Sequence, residues 1–568
     1  MFIVKKKIGN EEYYYLRQSK RVDGKVKAIT LAYLGKERKL AEKKAKEIEK
    51  NLTEKKKDLK EIKKPTNMVK ESKEEKEFLS FIQEAGLVWG PSPEIYGGVS
   101  GFYTYGPLGK LLKNKVENSV RKIFNTNGFR EIEGPTILPD KVWKASGHLE
   151  TFEDRIIKCK KCEATFRADK LIEEKHDISA DAFSDNKILK FIEGQKINCP
   201  SCFGKLENKL ERQSLMMKTK VAGQESSLRP ETATVTYLPY PRLYNYFRKK
   251  VPFSVYQIGK AYRNEISPRQ HVLRGREFTQ AEGQLFIDPE EKNNWDKFKN
   301  IKKTKLPFWD WKSQDKHKQS QKISLEEAMN KKLIQSEAYA WCLWLAYTQF
   351  EKFGIPKERI RLRQHHPDEM AFYANDAWDI ELKLNNYGWT EVCGVHDRGD
   401  YDLKQHGEAS GTKLEAIREN GERFVPHILE IAFGTDRPTY ALIDIFYDKK
   451  EADEGKTTFK IPYQIAPIDV SIFPLMKKPE LLKFSQEIKE ILEEDFIIDY
   501  DISGSIGKRY LRSAKAGTPY SITIDYDSLE NQDVTIRDRD SEKQIRIKKD
   551  NLKDTIRKLL KKEIEFEK

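Results

Sequence analysis

Arginines, a glutamate and a phenylalanine are spaced for nucleotide chemistry in the middle of the chain. The sequence runs Arg263-Asn-Glu265, a loop containing Pro268, and then Arg274-Gly-Arg276-Glu-Phe278. A guanidinium is planar and permanently charged, so it binds phosphate oxygens through paired hydrogen bonds. An aromatic ring such as that of Phe278 can stack on a base. Arg437, which directly follows an apolar strand-like segment, adds another cation. Together these residues predict a binding site for a nucleoside phosphate.

Thiols form a second group with recognisable chemistry. Four of the six cysteines make two C-x-x-C pairs, Cys159 with Cys162 and Cys199 with Cys202, with 36 residues between them. Two tight turns that each present two sulfurs to one tetrahedral ion form a closed structural zinc site. The alternative is a set of free buried thiols. The nine histidines include no H-x-x-x-H pattern, which argues against a catalytic metal hydrolase.

The elements around these residues are those of a mixed α/β enzyme. We expect a helix over 111–124, a strand over 132–139 that ends at proline, and an apolar strand over 427–433. This last strand leads through a glycine-containing turn into a helix that begins near Pro438, where a missing N–H costs little. The segment that holds the cysteines, residues 155–215, has the character of an insertion.

The chain has 568 residues, which favours three or four domains. We predict a basic N-terminal β meander followed by a helix (1–65), a catalytic domain (77–450) and a C-terminal α/β domain (462–568), with a linker near 449–460. The catalytic domain is expected to contain two insertions, 155–215 and 289–353. A hairpin turn is expected at Asp23-Gly24, and Pro65 is expected to close the helix.

Composition excludes some classes of protein. No apolar run approaches the roughly 18 residues that a membrane span requires. The first residues lack a secretory signal pattern, so we expect a cytoplasmic protein. The net charge is +15, and residues 1–76 carry +11 of it. Such a basic appendage favours a polyanionic partner, although a solvated charge run would have the same composition.

The arginine motifs resemble motifs 2 and 3 of the class II aminoacyl-tRNA synthetases, and residues 128–139 resemble their motif 1. A closer similarity is to the dimeric glycyl-tRNA synthetase family. It covers roughly residues 78–548 and leaves out the first 65. The segments that carry it are Glu94–Gly98, Gly101–Gly109, Ser146–His148, Phe166–Asp169, Arg229–Ala233, Arg263–Arg269, Arg276–Thr279, Tyr387–Trp389, Ile506–Tyr510 and Val534–Asp540.

This resemblance implies an α+β fold, in which helices flank an antiparallel class II sheet and a C-terminal α/β domain binds the anticodon. It implies a homodimer that joins glycine and ATP into glycyl-adenylate and then transfers glycine to the 3′ end of tRNA(Gly). The glycine carboxylate attacks the α-phosphate, so catalysis requires positioning and charge neutralisation rather than a protein nucleophile. Mg²⁺ is implied on the phosphates, with Glu391 and Glu430 as candidate carboxylates.

The resemblance also implies roles for single residues in ATP binding. Arg263 would hold the α-phosphate and Arg437 would cover one face of the adenine and reach the γ-phosphate, which makes these two the catalytic arginines. Glu265 would accept from the adenine amino group, and Phe278 would cover the other face. Either Arg274 or Arg276 would bind the outer phosphates. The implied ATP contacts are Arg263, Asn264, Glu265, Leu273, Arg274, Arg276, Phe278, Glu391, Val392, Gly434 and Arg437.

Glycine offers only an ammonium and a carboxylate for recognition. By resemblance, Glu231, Glu282 and Glu430 receive the ammonium and Arg167 receives the carboxylate, while Phe278 and Ala432 complete the pocket. A wall that clashes with the methyl group of alanine excludes every larger amino acid, so an editing site is not required.

Three positions depart from the family pattern: Ala432 replaces serine, Thr234 replaces glutamine, and Gly283-Gln284 replaces Ile-Glu. Two alternatives remain open at this stage. One is a noncatalytic, synthetase-like protein that binds nucleic acid, and the other is a class II synthetase for another small amino acid. The complete set of ATP motifs argues against the first, and the three pocket glutamates argue against the second.

Overall fold

The chain divides into two units, residues 1–69 and residues 70–568. The computed structural model describes residues 2–8, 11–22, 25–46, 73–173, 176, 180, 183–266, 268, 271–370, 373–448 and 459–566. Within these ranges, no helix is long and apolar enough to span a membrane.

In the smaller unit, three antiparallel strands form a sheet in the order β1-β2-β3: Phe2–Ile8, Glu11–Val22 and Lys25–Gly35. A helix (α1) covers residues 38–46 of the described chain. Its Ala41 and Ala45 are buried with Leu16 and Leu34 of the sheet. The predicted turn at Asp23-Gly24, the rest of the predicted helix and Pro65 lie outside the described residues.

The larger unit contains strands β4 to β27. In chain order they are Val88–Trp89, Thr104–Tyr105, Phe129–Glu131, Ile137–Pro139, Glu153–Lys158, Thr165–Arg167, Glu211–Ser214, Met217–Val221, Gln224–Leu228, Phe253–Tyr262, Glu277–Ile287, Lys305–Trp309, Gln321–Ser324, Ile360–Gln364, Asp376–Leu384, Gly388–Gly399, Ala416–Ile417, Arg423–Phe424, His427–Gly434, Val470–Pro474, Ile498–Tyr500, Tyr520–Ile524, Asp533–Asp538 and Gln544–Lys548.

Helices α2 to α18 accompany these strands. In chain order they are Lys73–Glu84, Pro107–Thr126, Asp140–Ala145, His148–Thr151, Ala168–Glu173, Asp185–Gly194, Thr234–Tyr237, Tyr240–Tyr246, Trp311–Asp315, Leu325–Asn330, Glu337–Lys352, Tyr401–Ser410, Asp436–Phe446, Pro479–Leu492, Ile506–Lys515, Tyr526–Asn531 and Lys549–Leu560.

Nine strands form the central sheet, in the order β16-β15-β17-β18-β19-β22-β14-β13-β6. Its pairs are antiparallel except β13 with β6 and β15 with β17. Residues 289–353, predicted as a second insertion, contribute the edge strands β15 and β16 and the buried helix α12. The sheet confirms the predicted α+β class.

Helix α3 supports this sheet from the face opposite the site. It begins at Pro107, and its buried stripe repeats every three to four residues at Leu108, Leu112, Val116 and Val120. Phe124, one turn further on, lies so close to Gly283 of β14 that a β-carbon there would stand 2.6 Å from its ring. The glycine of the Gly283-Gln284 departure therefore permits close packing of helix on sheet.

One predicted strand is wrong in its extent. The strand expected over 132–139 is divided into β6 and β7, with residues 132–136 in neither. The amide of Gly134 donates to the side chain of Gln257, and the carbonyls of Gly134 and Pro135 accept from Arg229. Side chains thus take the hydrogen bonds that a sheet ladder would have used, and Pro135 has no N–H to donate.

The larger unit also contains smaller sheets, and two of these have cores of their own. Strands β8, β9 and β10 form a sheet in the segment that holds the cysteine pairs, and helices α6 and α7 share its buried core. After residues 449–458, which lie outside the described chain, a five-stranded sheet with the order β24-β23-β25-β26-β27 packs against α15 and α18.

Candidate active site

A cavity lies over strands β14, β22 and β19 of the central sheet. Directly paired residues of neighbouring strands share a face. One such row joins Glu282, Ala432 and Gly394, and the next joins Gln284, Glu430 and His396. The predicted residues that line the cavity are Glu231, Arg263, Glu265, Leu273, Arg274, Phe278, Glu282, Glu391, Val392, Glu430, Ala432, Gly434 and Arg437.

The more exposed part of this cavity is its outer end, formed by Arg263, Arg274, Phe278, Glu391 and Arg437. The Arg263 guanidinium lies 5.3 Å from the centre of the Phe278 ring, and its Nε donates to the carbonyl of Pro230 at 3.1 Å. Arg274 donates to Glu265 at 2.8 Å. The motif that the sequence indicated is thus assembled, with Arg263 beside the Phe278 ring and Arg274 bonded to Glu265.

Arg437 is positioned by a buried ion pair at the start of α14. The preceding residue, Asp436, is paired with Lys113 of α3 and accepts from the backbone amide of Thr279 in β14. Arg437 itself donates to the carbonyl of Leu273 and pairs with the Glu391 carboxylate at 2.9 Å. Arg437 holds the pKa of Glu391 down to about 2. The turn before β14, strand β19 and the start of α14 therefore meet at this arginine.

The inner end of the cavity, formed by Glu231, Glu282, Ala432, Glu430 and Arg398, is buried. Glu430 accepts from the Arg398 guanidinium at 3.3 Å and lies 3.0 Å from Nδ1 of His396. Arg398 is 2% exposed and also pairs with Asp402 at 2.7 Å. Three carboxylates thus share the inner end with one buried guanidinium.

These carboxylates differ in charge. Burial raises the pKa of Glu282 to about 8, and the neighbouring charges of Glu430 and Glu231 act in the same direction. Burial also opposes ionisation of Glu231, but His148 at 3.6 Å and Arg398 hold its pKa well below the usual range. For Glu430, Arg398 and His396 outweigh burial and lower the pKa. Glu282 is therefore the carboxyl that is protonated near neutral pH.

Three of the predicted residues do not line the cavity. Arg276 donates to the carbonyls of Glu265 and Ser100, at 2.8 and 3.0 Å, which leaves Arg274 as the arginine of that pair facing the cavity. The backbone N–H of Asn264 donates to the carbonyl of Leu215. Arg167 lies on β9, paired with Asp154 at 3.1 Å and with Asp169.

The departures from the family pattern lie within reach of the same carboxylates. The Thr234 hydroxyl donates to Glu231 at 2.7 Å, and the Gln284 amide donates to Glu430 at 3.3 Å. Ala432 adds no polar group to the floor of the inner end. Two of the three changes therefore supply hydrogen bonds to pocket glutamates.

Sequence reasoning missed Arg398, His396 and His148, which determine the charge of the inner end. Arg398 and His396 lie in strand β19, within the sequence His-Asp-Arg-Gly. The signal that could have found them was a histidine and an arginine inside a strand. The partner that they share, Glu430, is more than thirty residues away in the sequence.

The four cysteines of the C-x-x-C pairs converge. Their ligand atoms all lie within 4.8 Å of one another, with Sγ–Sγ distances of 3.4 Å for Cys159–Cys202 and 3.7 Å for Cys162–Cys199. Sulfurs at about 2.3 Å from one tetrahedral Zn²⁺ stand roughly 3.8 Å apart, whereas a disulfide requires about 2.05 Å. The spacing is compatible with a shared tetrahedral ion and is too long for a disulfide.

The two thiol turns are built alike. Each has a left-handed residue four positions after its first cysteine, Glu163 (φ 57°) and Phe203 (φ 59°). In each, the amide two positions after that cysteine points at its Sγ at 3.4 Å. Glycine is required at position 204, where the two turns approach each other, because a β-carbon there would stand 2.8 Å from Lys161 and 3.2 Å from the Cys202 sulfur.

Comparisons with known proteins identify the family. Residues 218–446 match the family described as tRNA synthetase class II core domain (G, H, P, S and T), and residues 469–559 match the anticodon binding domain. The glycine–tRNA ligase of Methanococcus maripaludis is 36% identical over 561 residues, which cover 83% of this chain and 97% of that protein. That of Thermococcus gammatolerans is 36% identical over 571 residues, covering 86% and 99%. The chain belongs to the glycine–tRNA ligase family.

As a member of the glycine–tRNA ligase family, the chain is a class II aminoacyl-tRNA synthetase that activates glycine with ATP and transfers it to tRNA. The predicted family is thereby confirmed. A solved structure of the prolyl-tRNA synthetase of Cryptosporidium parvum shares the fold, with a TM-score of 0.52, 14% identity, and coverage of 85% of this chain and 75% of that one.

A different family matches the smaller unit. Residues 3–67 match the N-terminal domain of the IS1634 family transposases. The sheet and helix of the N-terminal unit therefore resemble a module that also occurs outside the glycine–tRNA ligases.

Proposed function

We propose that the outer end of the cavity binds ATP and that the inner end binds glycine, so that the two meet at Arg263. The observation that carries this proposal is the single cavity lined at one end by arginines and an aromatic ring and at the other by buried carboxylates. Arg263 belongs to the outer end and also acts electrostatically on Glu282 of the inner end.

The outer end has a group for each part of ATP. Phe278 stacks on one face of the adenine and Glu265 accepts from its amino group. Arg274, which already faces the cavity, binds the outer phosphates, and Arg437 covers the second face of the adenine and reaches the γ-phosphate. Leu273, Val392 and Gly434 line the same end. Arg276 and Asn264 support the loop through their main-chain hydrogen bonds.

Arg263 has the central role in the reaction. The glycine carboxylate attacks the α-phosphate, pyrophosphate leaves, and negative charge accumulates on the α-phosphate oxygens. A guanidinium already oriented by the Pro230 carbonyl and the Phe278 ring stabilises that charge without further reorganisation. Catalysis then follows from holding the two substrates in line.

The inner end selects glycine by charge and by size. Its ammonium lies among Glu231, Glu282 and Glu430, and ionisation of Glu282 provides the additional negative charge. The floor row of Ala432 and Gly394 leaves little space, because the His396 ring already stands 2.7 Å from where a β-carbon of residue 394 would lie. Sterics at this floor exclude larger amino acids.

Amino-acid-dependent exchange between ATP and pyrophosphate tests this assignment. Glycine, alanine, serine, proline and threonine are supplied separately to the purified full chain. We expect exchange with glycine alone. Exchange with another amino acid would contradict the assignment of the inner end, and no exchange with any of them would contradict the assignment of the cavity as a whole.

Mg²⁺ bound to the ATP phosphates would supply further charge neutralisation. Glu391 fits a role beside it, because its carboxylate is half exposed at the outer end and oxygen ligands suit this ion. Glu430, the other candidate, does not fit, since Arg398, His396, Gln284 and Tyr237 already surround its buried carboxylate.

We also propose that Cys159, Cys162, Cys199 and Cys202 hold a structural Zn²⁺, supported by the converging sulfurs and the two matched turns. The closed set of four thiolates leaves no position for water, so the ion stabilises the insertion rather than taking part in catalysis. One zinc per chain is expected by metal analysis. Cys162→Ser should lower that content, whereas Cys342→Ala, at a buried cysteine outside the cluster, should not.

Three further properties follow from the family resemblance and remain proposals. The partner is tRNA(Gly), bound in part by the C-terminal domain. The active form is a homodimer that assembles through the motif 1 region, and the protein acts in the cytoplasm. Sedimentation of the full chain should give twice the chain mass if the dimer is correct.

A further inference from the structure

The N-terminal sheet has two unlike faces. Tyr14 and Leu16 of β2 point into the buried cluster shared with helix α1. Because side chains alternate along a strand, Tyr13 and Tyr15 of β2 point the other way. Tyr15 is paired directly with Tyr33 of β3, which therefore stands on the same face. We call these three residues the tyrosine face.

The rings of the tyrosine face form one accessible surface. Tyr33 lies 5.3 Å from Tyr15 and 6.2 Å from Tyr13, measured between ring centres. Tyr33 is 52% exposed, and the Nζ of Lys36 lies 5.2 Å from the centre of the Tyr13 ring. An exposed aromatic surface marks an interaction site more often than a single exposed side chain does.

The net charge of the N-terminal residues indicates the class of partner. Residues 1–46 contain 14 lysines and arginines and five acidic residues. The positive charge calls for a polyanionic partner, and the exposed rings call for flat apolar faces to stack on. Single-stranded nucleic acid has both properties. In an A-form duplex the bases are stacked inside, so exposed tyrosine rings cannot reach their faces.

We propose that the tyrosine face is an RNA-binding surface that stacks unpaired bases of the tRNA substrate, while Lys36 beside it contacts its phosphates. This site is separate from aminoacylation and adds to the affinity of the full chain for tRNA. The tRNA is the occupant we choose because the larger unit already acts on it and because its loops and 3′ end present unpaired bases.

A binding assay on the full chain tests this surface. The probes are a fluorescent 12-nucleotide single-stranded RNA and a 12-base-pair RNA duplex, followed by anisotropy. Stacking is worth about 1–3 kcal/mol per base, so loss of at least one stacked base in Tyr13→Ala/Tyr33→Ala should weaken single-strand binding by about 5- to 160-fold or more. The Phe pair, Tyr13→Phe/Tyr33→Phe, keeps both rings and should bind within about twofold of the unchanged protein.

Two controls separate a lost surface from a damaged protein. Tyr246→Ala removes a tyrosine that is 71% exposed in the larger unit and should leave binding of both probes unchanged. Glycine-dependent ATP–pyrophosphate exchange needs no tRNA, so the alanine pair should retain it. Exchange lost in all proteins would contradict the proposed function of the cavity and leave the RNA result to be judged separately.

Unchanged affinity of the alanine pair for the single strand would overturn the proposal. An equal loss for single strand and duplex would also overturn it, because it would assign the face to backbone contact rather than base stacking. A loss confined to the single strand, restored in the Phe pair and accompanied by a higher KM for tRNA, would establish it.

Discussion

The inner and outer ends of the cavity differ in where their charges find partners. At the inner end, Glu430 and Arg398 are 3% and 2% exposed and pair with groups of the protein itself. At the outer end, Arg437 is 33% exposed and its partner Glu391 is 51% exposed. The inner charges are satisfied within the fold, whereas the outer charges remain within reach of a ligand.

This difference separates stability from catalysis within one cavity. A buried ion pair that loses one partner leaves an uncompensated charge, which costs several kcal/mol of folding free energy. An exposed pair adds little to folding, so its arginine is free to act on the substrate. Substitutions at the two ends should therefore affect different measurements.

The largest effect is expected from Arg398→Leu. Loss of this guanidinium leaves Glu430 and Asp402 buried without their shared cation, which should lower the free energy of unfolding by about 3–5 kcal/mol. Urea unfolding followed by circular dichroism measures the loss. Arg423→Leu, at an arginine that is 60% exposed, is the matched control and should change stability little. Equal stability of both variants would contradict the claim that the buried ion pairs of the inner end stabilise the fold.

Arg263→Ala should have the opposite effect, lowering activity while leaving stability nearly unchanged. We expect glycine-dependent ATP–pyrophosphate exchange to fall by about 10²- to 10³-fold, because a preorganised cation at the α-phosphate is lost. The free energy of unfolding should stay within about 0.5 kcal/mol, since this arginine is only half-buried and its hydrogen bond goes to the main-chain carbonyl of Pro230. A large loss of stability in this variant would show that the outer end also carries folding energy.

Glu282→Gln should change both the stability of the protein and its KM for glycine. Because burial holds the pKa of Glu282 near 8 in the folded chain, the native state binds a proton that the unfolded state releases above about pH 4.3. The native protein therefore loses stability as the pH rises from about 5 to 8, while the glutamine variant does not.

The variant should be more stable than the unchanged chain by about 1–3 kcal/mol at pH 8, with a smaller difference at pH 5. Its KM for glycine should rise, because the ammonium loses an ionisable partner. Thermal melts across this pH range and exchange kinetics measure the two effects. A difference in stability that shrinks with rising pH would contradict the charge assignment.

The smallest effect is expected at the floor of the inner end. Ala432→Ser restores the hydroxyl that the family usually has, and one additional hydrogen bond of about 1 kcal/mol should lower the KM for glycine by about fivefold. Ala432→Val adds more bulk than serine and no hydroxyl, and should raise this KM. If serine and valine act alike, the floor selects by volume alone.

Much of the outer end could be predicted from the sequence, because its residues are close in the chain. Arg263, Glu265 and Phe278 lie within sixteen positions, and their spacing carries the motif. The helix expected over 111–124 and the strand expected over 427–433 lie within α3 and β22. The strand expected over 132–139 was wrong in its extent, because side chains of Gln257 and Arg229 bind the backbone there.

The N-terminal tyrosines also show that sequence alone does not predict which residues meet across a sheet. Alternation in β2 separates Tyr14 from Tyr13 and Tyr15, yet only the strand register brings Tyr33 beside them. Likewise, the choice between Arg274 and Arg276 depended on which guanidinium was taken up by main-chain carbonyls, a contact between residues 176 positions apart.

The sequence by itself determined the family, the reaction and the residues that carry the motifs, because local spacing encodes which groups can act on a nucleoside phosphate. Only the tertiary structure decided which carboxyl group is protonated. That property depends on the burial of Glu282 and on the charges of Glu231 and Glu430, which strand pairing and the packed helices bring together from distant parts of the chain.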